Sequence, residues 1–361
     1  MKPKTTPKKV KKVVKIKHKT PRKTVKKPVN EPVKNNPYKN KNILITGGLG
    51  FIGSNLAIDL VKLGANVTIV DAMIPEYGGN LHNIEPIKEK VNVQFCDIMD
   101  KNAMEWLVRG QDYIFHLAGQ VSHVMSFTNP YLDIDYNVTG TVVLSEACRK
   151  YNPKAIIIFT GTRSQYGSVK TLPATEDAPT DPKGVYEITN LTAEKILIAY
   201  NNNHGVRSVL TRLTNIYGPR AQMKTDKYGV ANWFIRLAID DATIPIFGDG
   251  KIMRDFLYVD DVVEALLALP LHEECYGQIY NVGHHEVSNF GELAHATIDI
   301  AGTGRAKFTP FSEERKKQEP GHFYSDITKI HKAIGWKPRI LLREGIQRTV
   351  DFYKKHKKHY W

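Results

Sequence analysis

The 361-residue sequence predicts an α/β protein built on a doubly wound parallel sheet, with a smaller, interleaved C-terminal domain and a disordered basic N-terminal tail. Three observations predict it. From Lys41 onward, short and mostly apolar runs alternate with longer amphipathic segments, the pattern of strands buried on both faces and joined by helical crossovers. The first such run leads straight into a glycine-rich turn and then a helix. Finally, the entire formal charge of +14 lies in residues 1–40, which hold fourteen Lys, Arg22 and the single acid Glu31, so the rest of the chain is neutral.

In chain order, residues 1–40 carry six prolines and a high charge density, with too little apolar surface to offset ordering entropy. They contain no apolar stretch of a secretory signal. A solvated extension, an electrostatic contact with an anionic surface and a Lys-rich import signal around residues 7–14 all fit this composition. Residues 42–46, 66–71, 91–96, 113–116, 155–160 and 207–212 read as buried strands. Residues 51–63, 130–151 and 186–203 read as helices between them. Beyond about Tyr217 the alternation dissolves into shorter elements. The boundaries expected are therefore a tail at 1–40, a first domain at 41–216 and a second, interleaved with the last elements of the first, at 217–361.

A neutral body argues against a broad nucleic-acid-binding face. No run of about 18 apolar residues is present, so no membrane span is expected. Cys96, Cys148 and Cys275 lie far apart without metal-knuckle spacing, which points to a reducing, cytoplasmic setting and no zinc site. His284-His285 lacks the partners of a metal centre, and no metal is expected.

The glycine-rich turn, Thr46-Gly47-Gly48-Leu49-Gly50-Phe51-Ile52-Gly53, carries the first chemistry. Gly47 permits a tight turn, Gly50 admits a pyrophosphate to the backbone, and Gly53 lets the helix pack closely on the sheet. The helix then offers free N–H groups, those of Phe51 and Ile52 among them, and a partial positive charge to phosphates. The second strand ends in Asp71, 24 residues beyond Gly47. Its carboxylate suits the two ribose hydroxyls of NAD and would repel an NADP 2′-phosphate.

The spacing GxxGxxG resembles the extended short-chain dehydrogenase/reductase superfamily, and within it the NAD-dependent nucleotide-sugar epimerase/dehydratase family, UDP-glucose 4-epimerase-like. Further matching strings run through most of the body. They are Cys96-Asp97-Ile98, His116-Leu117-Ala118-Gly119, Asn137-Val138-Thr139-Gly140-Thr141, Arg212-Leu213-Thr214-Asn215-Ile216-Tyr217-Gly218-Pro219, Phe247-Gly248-Asp249-Gly250, Arg254-Asp255-Phe256 and Ile334-Gly335-Trp336. The resemblance implies a Rossmann sheet with a C-terminal substrate domain. It also implies NAD contacts at Asp97, Ile98, Ala118 and Asn137, and a nucleoside diphosphate sugar as substrate. It assigns Tyr186 as the residue that takes the sugar hydroxyl proton and Thr162 as the hydroxyl beside the reacting oxygen. Asn215 and Arg254 would hold the diphosphate, Phe247 would flank the base, and Asn232 and Ser164 would add polar contacts. Arg254 could instead form an ion pair with Asp255 or Asp260. Ser122 and His123 could face the sugar, although His123 equally fits a satisfied loop histidine. Residues 130–151 and 186–203 would supply the helices of a homodimer.

One position departs from the family pattern. YxxxK places a lysine four residues after the tyrosine, on the same helix face, whereas this chain has Asn190. A free tyrosine has a pKa of about 10, so roughly one in a few hundred is ionised near pH 7.5 without such a cation. Asn190 can hydrogen-bond a ribose but supplies no charge, which leaves the oxidised nicotinamide ring and Arg163 as cationic neighbours. Dehydratases of the family carry two carboxylates after the threonine, and decarboxylases carry a Glu at the second position. Here Arg163 and Ser164 stand there. The expected reaction is therefore 4-epimerisation by transient oxidation to a 4-keto sugar. The alternatives are a 4,6-dehydratase or glucuronate decarboxylase on the same scaffold, and a non-catalytic NAD-binding protein with a basic tether.

Overall fold

The structure is a computed structural model that describes residues 36–75, 77–311 and 319–361. The expected disorder of the tail falls almost wholly on residues 1–35, outside the described residues. The boundary at 40 needs correction. Tyr38 is buried, its hydroxyl donates to the Leu267 carbonyl at 2.6 Å, and its ring lies 5.3 Å from that of Tyr113. A single aromatic anchor amid Lys, Pro and Asn leaves no periodic signal, so composition alone sets the boundary too late.

The first half alternates as expected: β1 (Asn42–Thr46), α1 (Phe51–Lys62), β2 (Asn66–Val70), β3 (Val91–Gln94), α2 (Lys101–Leu107), β4 (Tyr113–His116) and α3 (His123–Thr128). A helical stretch follows, made of α4 (Tyr131–Asp133), a π segment (Ile134–Thr139) and α5 (Gly140–Tyr151). Then come β5 (Ile156–Thr162), α6 (Val185–His204), β6 (Ser208–Leu213) and β7 (Asn215–Tyr217). Ile43, Leu44 and Ile45 in β1 and Ile157 and Ile158 in β5 are all 0% exposed, as strands covered by helices on both faces must be. α6 stops where Gly205 takes φ +66°, a left-handed helix end.

The C-terminal part contributes α7 (Val230–Ile239), β8 (Thr243–Phe247), β9 (Met253–Tyr258), α8 (Val259–Ala268), β10 (Ile279–Val282), β11 (Val287–Asn289), α9 (Phe290–Ala301), β12 (Arg305–Thr309), α10 (Thr328–Ile334) and α11 (Leu342–His356). β10 is the finding here. It pairs in parallel with β6 and completes a seven-stranded sheet of order β10-β6-β5-β4-β1-β2-β3. Val262, Leu266, Tyr280, Ile330 and Trp336 join the same core as Ile43 and Leu56. The first unit is thus finished by chain from beyond residue 217. A second core gathers Phe234, Ile244, Ile246, Leu293, Ile346 and Tyr353, around a three-stranded sheet β11-β9-β7 and a pair β12-β8. Among the described residues, no helix is long and apolar enough to cross a membrane, and all three cysteines are free.

All six pairings of the large sheet are parallel, so the carboxyl ends of its strands open on one edge. Strand order reverses between β1 and β4, which leaves a crevice there.

Candidate active site

The crevice holds a cavity of about 370 Å³ lined by the glycine turn, Phe51, Ile52, Asp71, Asp97, Ile98, Ala118 and Asn137. Gly47 has φ +71°, and a Cβ there would stand 2.9 Å from the Ala118 nitrogen. A Cβ on Gly53 would stand 2.4 Å from the Gly47 carbonyl oxygen, so α1 can approach the turn only as glycine. Gly50 is the N-cap of α1 and makes no side-chain cap, which leaves the first N–H groups of the helix facing the cavity.

Asp71 closes the cavity at the end of β2. Its two oxygens accept from the backbone N–H of Leu49 at 3.0 Å and of Met73 at 2.9 Å. Burial nevertheless pushes its pKa up, more than those two bonds pull it down. Asp97 accepts from Met99 N–H at 2.8 Å. Asn137 accepts from Gln120 N–H at 2.9 Å and donates to the Thr189 hydroxyl at 3.1 Å, tying the loop after β4 to α6. His116 also lines the cavity. Wholly buried between the hydroxyls of Thr46 and Thr141, it has its pKa lowered by desolvation to about 4. These residues fit a dinucleotide: an open helix N-terminus for phosphates, a tight glycine turn and a carboxylate at the second strand's end.

A second cavity, of about 810 Å³, adjoins the first, and Thr162 and Tyr186 line both. Thr162 ends β5; Tyr186 opens α6 one residue after its start. Burial pushes the Tyr186 phenol up to about 12, and the neighbouring charge of Glu187 adds to the rise. A hydrogen bond from Thr162 and the Arg163 charge pull the other way without offsetting it. Asn190 is buried at the first cavity, where its amide donates to the Tyr186 carbonyl at 2.9 Å. It therefore stands on the tyrosine's own helix turn and brings no charge to the phenol.

Ser164, Asn215, Phe247 and Arg254 line the second cavity. Asn232 does not. It lines the first, with its carbonyl accepting from Gly218 N–H at 3.1 Å. Arg254 is 2% exposed, and its partner is neither of the expected aspartates. Its guanidinium binds Glu319 at 2.6 Å and the Met253 carbonyl at 2.8 Å, while Nε has no partner. Asp255 instead accepts from Thr214 and Ser325, and Asp260 meets Arg348 at 3.5 Å. Ser122 is buried as the cap of α3, accepting from Met125 N–H at 3.2 Å, and lines neither cavity. His123 Nδ1 hydrogen-bonds the buried Glu187, whose other oxygen has no partner. Residue reading missed Glu187 and Asp133, whose carboxyl is raised by burial to about 6. Neither has a local pattern to mark it.

Residues 44–349 match the family described as GDP-mannose 4,6 dehydratase. The chain belongs to that family, the NAD-dependent extended short-chain dehydrogenase/reductases of nucleotide sugars. Among similar family members, the UDP-N-acetyl-alpha-D-glucosaminuronate decarboxylase of Bacillus cytotoxicus is 33% identical over 87% of this chain and 98% of its own length. The UDP-glucose 4-epimerase of Thermotoga maritima, solved with UDP-glucose, is 31% identical with a TM-score of 0.80 over 88% of this chain and 99% of that one. The UDP-glucose 4-epimerase of Thermus thermophilus, solved with NAD, is 30% identical with a TM-score of 0.76 over 87% and 99%. The family thus includes both isomerases and lyases. In this chain Arg163 and Ser164 follow Thr162, and Asn190 follows Tyr186 by four residues.

Proposed function

We propose that this protein is an NAD-dependent nucleotide-sugar 4-epimerase. The observation that carries the reading is the placement of Tyr186 and Thr162 at the junction of the two cavities, followed in sequence by Arg163 and Ser164 rather than carboxylates. When bound in the first cavity, NAD supplies a reversible acceptor for the hydride of the sugar's C4. Tyr186 takes the C4 hydroxyl proton and returns it, while Thr162 holds the same oxygen in place. Asn215 and Arg254 hold the diphosphate and Phe247 flanks the base. The cavity wall keeps water from the ketone while the sugar turns its other face. Exposed Ile134 and Ile188, on the π segment before α5 and on α6, support a homodimer formed through these helices. The three free cysteines support a cytoplasmic setting.

The buried Glu187, paired with His123 at the second cavity, favours a second reading, in which this carboxylate drives water loss or decarboxylation. Incubation with UDP-, dTDP-, CDP- and GDP-sugars, with products identified by NMR and mass spectrometry, separates the two. A 4-epimer as product is expected. Carbon dioxide or a 4-keto-6-deoxy sugar would replace the epimerase by a lyase. Tyr186→Phe should lower kcat by about 10²- to 10⁴-fold, the usual contribution of a positioned acid–base group.

A further inference from the structure

Among the described residues, four cations and three carboxylates line the second cavity. Arg254 is held by Glu319, Lys183 meets the Ser168 hydroxyl at 3.1 Å, and Lys227 is also engaged. Arg163 differs from all three. Its guanidinium lies over the Phe323 ring, 5.1 Å from the centroid, and has no hydrogen bond and no carboxylate within ion-pair distance among the described residues. The charges around it are Arg254, Asp255, Glu319 and Glu187. Each of the three acids has another partner: Glu319 meets Arg254, Asp255 meets Thr214 and Ser325, and one oxygen of Glu187 meets His123. Burial and the facing Arg254 lower the Arg163 pKa to about 10, so it remains charged at neutral pH. Arg163 is partly buried and lines the cavity, so an unpaired guanidinium there is open to a ligand anion.

The anion's place follows from the chain. Arg163 is the residue after Thr162, which hydrogen-bonds the Tyr186 phenol, and it opens the short 3₁₀ turn Arg163–Tyr166. With the sugar's C4 oxygen at Thr162 and Tyr186, the substituents within reach of a side chain one residue on are those at C3 and C6, and of these two C6 is the carbon that becomes a carboxylate in a hexuronate. A planar guanidinium fork matches a carboxylate in bidentate fashion. We infer that Arg163 is a specificity residue that binds a carboxylate at C6, making the substrate a nucleoside diphosphate hexuronate rather than a neutral hexose. This rests on the reading of Tyr186 and Thr162 as the reacting pair.

Calorimetric titration of the full chain, loaded with NAD, with UDP-glucuronate, UDP-glucose and UDP tests it, alongside turnover of the two sugar nucleotides. The wild type should bind UDP-glucuronate more tightly than UDP-glucose by on the order of tenfold to a hundredfold, the size of a charge-assisted hydrogen-bond pair. Arg163→Gln should bring that ratio close to one, and Arg163→Lys, which keeps the charge but loses the fork, should retain part of it. A wild-type ratio near one, or a ratio unchanged in Arg163→Gln, overturns the inference. A drop in UDP affinity equal to the drop in UDP-glucuronate affinity overturns it in favour of a diphosphate contact. The expected ratios without any 4-epimer product would leave the carboxylate site standing and remove the epimerase reading. A 4-epimer formed equally well from both sugars would do the reverse.

Discussion

Asn190 occupies the position from which a lysine would stabilise tyrosinate, and the phenol it would serve is pushed up to about 12. Introducing the ammonium on the same helix face, as Asn190→Lys, should move the ascending limb of the kcat/KM profile, where the phenol ionises, down by at least about one pH unit, each unit amounting to about 1.4 kcal/mol. Paired pH–rate profiles check this, and superimposable curves would rule it out. His116 makes a prediction of the opposite kind, about stability. Its folded-state pKa of about 4 lies below the ordinary value of 6.5. As pH falls through that window the unfolded chain takes up a proton that the folded one refuses. Stability is therefore lost from about pH 6.5 downward, by up to about 3 kcal/mol at pH 4. His116→Gln lacks this term, so its urea midpoint should fall less between pH 7 and pH 4.5 than that of the wild type. Asp133, raised to about 6, acts in the other direction in both proteins and cancels in the comparison.

The β1–turn–α1 unit is where sequence and structure agree most closely, because each glycine answers a local demand. Replacing Gly53 by Ala drives a methyl into the Gly47 carbonyl, backbone against backbone, and neither side can swing away. The expected loss is about 1–3 kcal/mol of stability, together with retained NAD, since the turn that receives the pyrophosphate must shift. Melting curves and the cofactor content of the purified variant read the two effects separately. The strands at 42–46 and 113–116 and the helix opening at 51 were legible for the same reason: continuous apolar runs and turn residues are local signals. β10 was not legible. Four residues after a turn carry no period, and only the open edge of β6 makes Ile279–Val282 a strand.

At the scale of the whole molecule, segments far apart in sequence share one core. Tyr38 sits before the first strand, yet bonds to the end of α8 and packs beside β4. Tyr38→Ala should cost about 3–5 kcal/mol, and Tyr38→Phe, which loses the bond to Leu267 but keeps the ring, about 1 kcal/mol. Chemical denaturation of the two variants gives both numbers, and equal stabilities for Ala and wild type would show the residue to be outside the folded body.

Residue order alone determined the parallel sheet and the glycine cradle with Asp71, since each is written within a few consecutive positions, while the family resemblance pointed to Tyr186 and Thr162 as the pair we propose to react. Tertiary structure decided which charges meet. Arg254 finds Glu319 rather than the aspartates beside it, His123 finds Glu187 across 64 residues, and Arg163 finds no acid among the described residues. The physical reason is range. Backbone preference and apolar period act between near neighbours along the chain, whereas an ion pair depends on distance in space and on the water excluded around it, which only the assembled cavity sets.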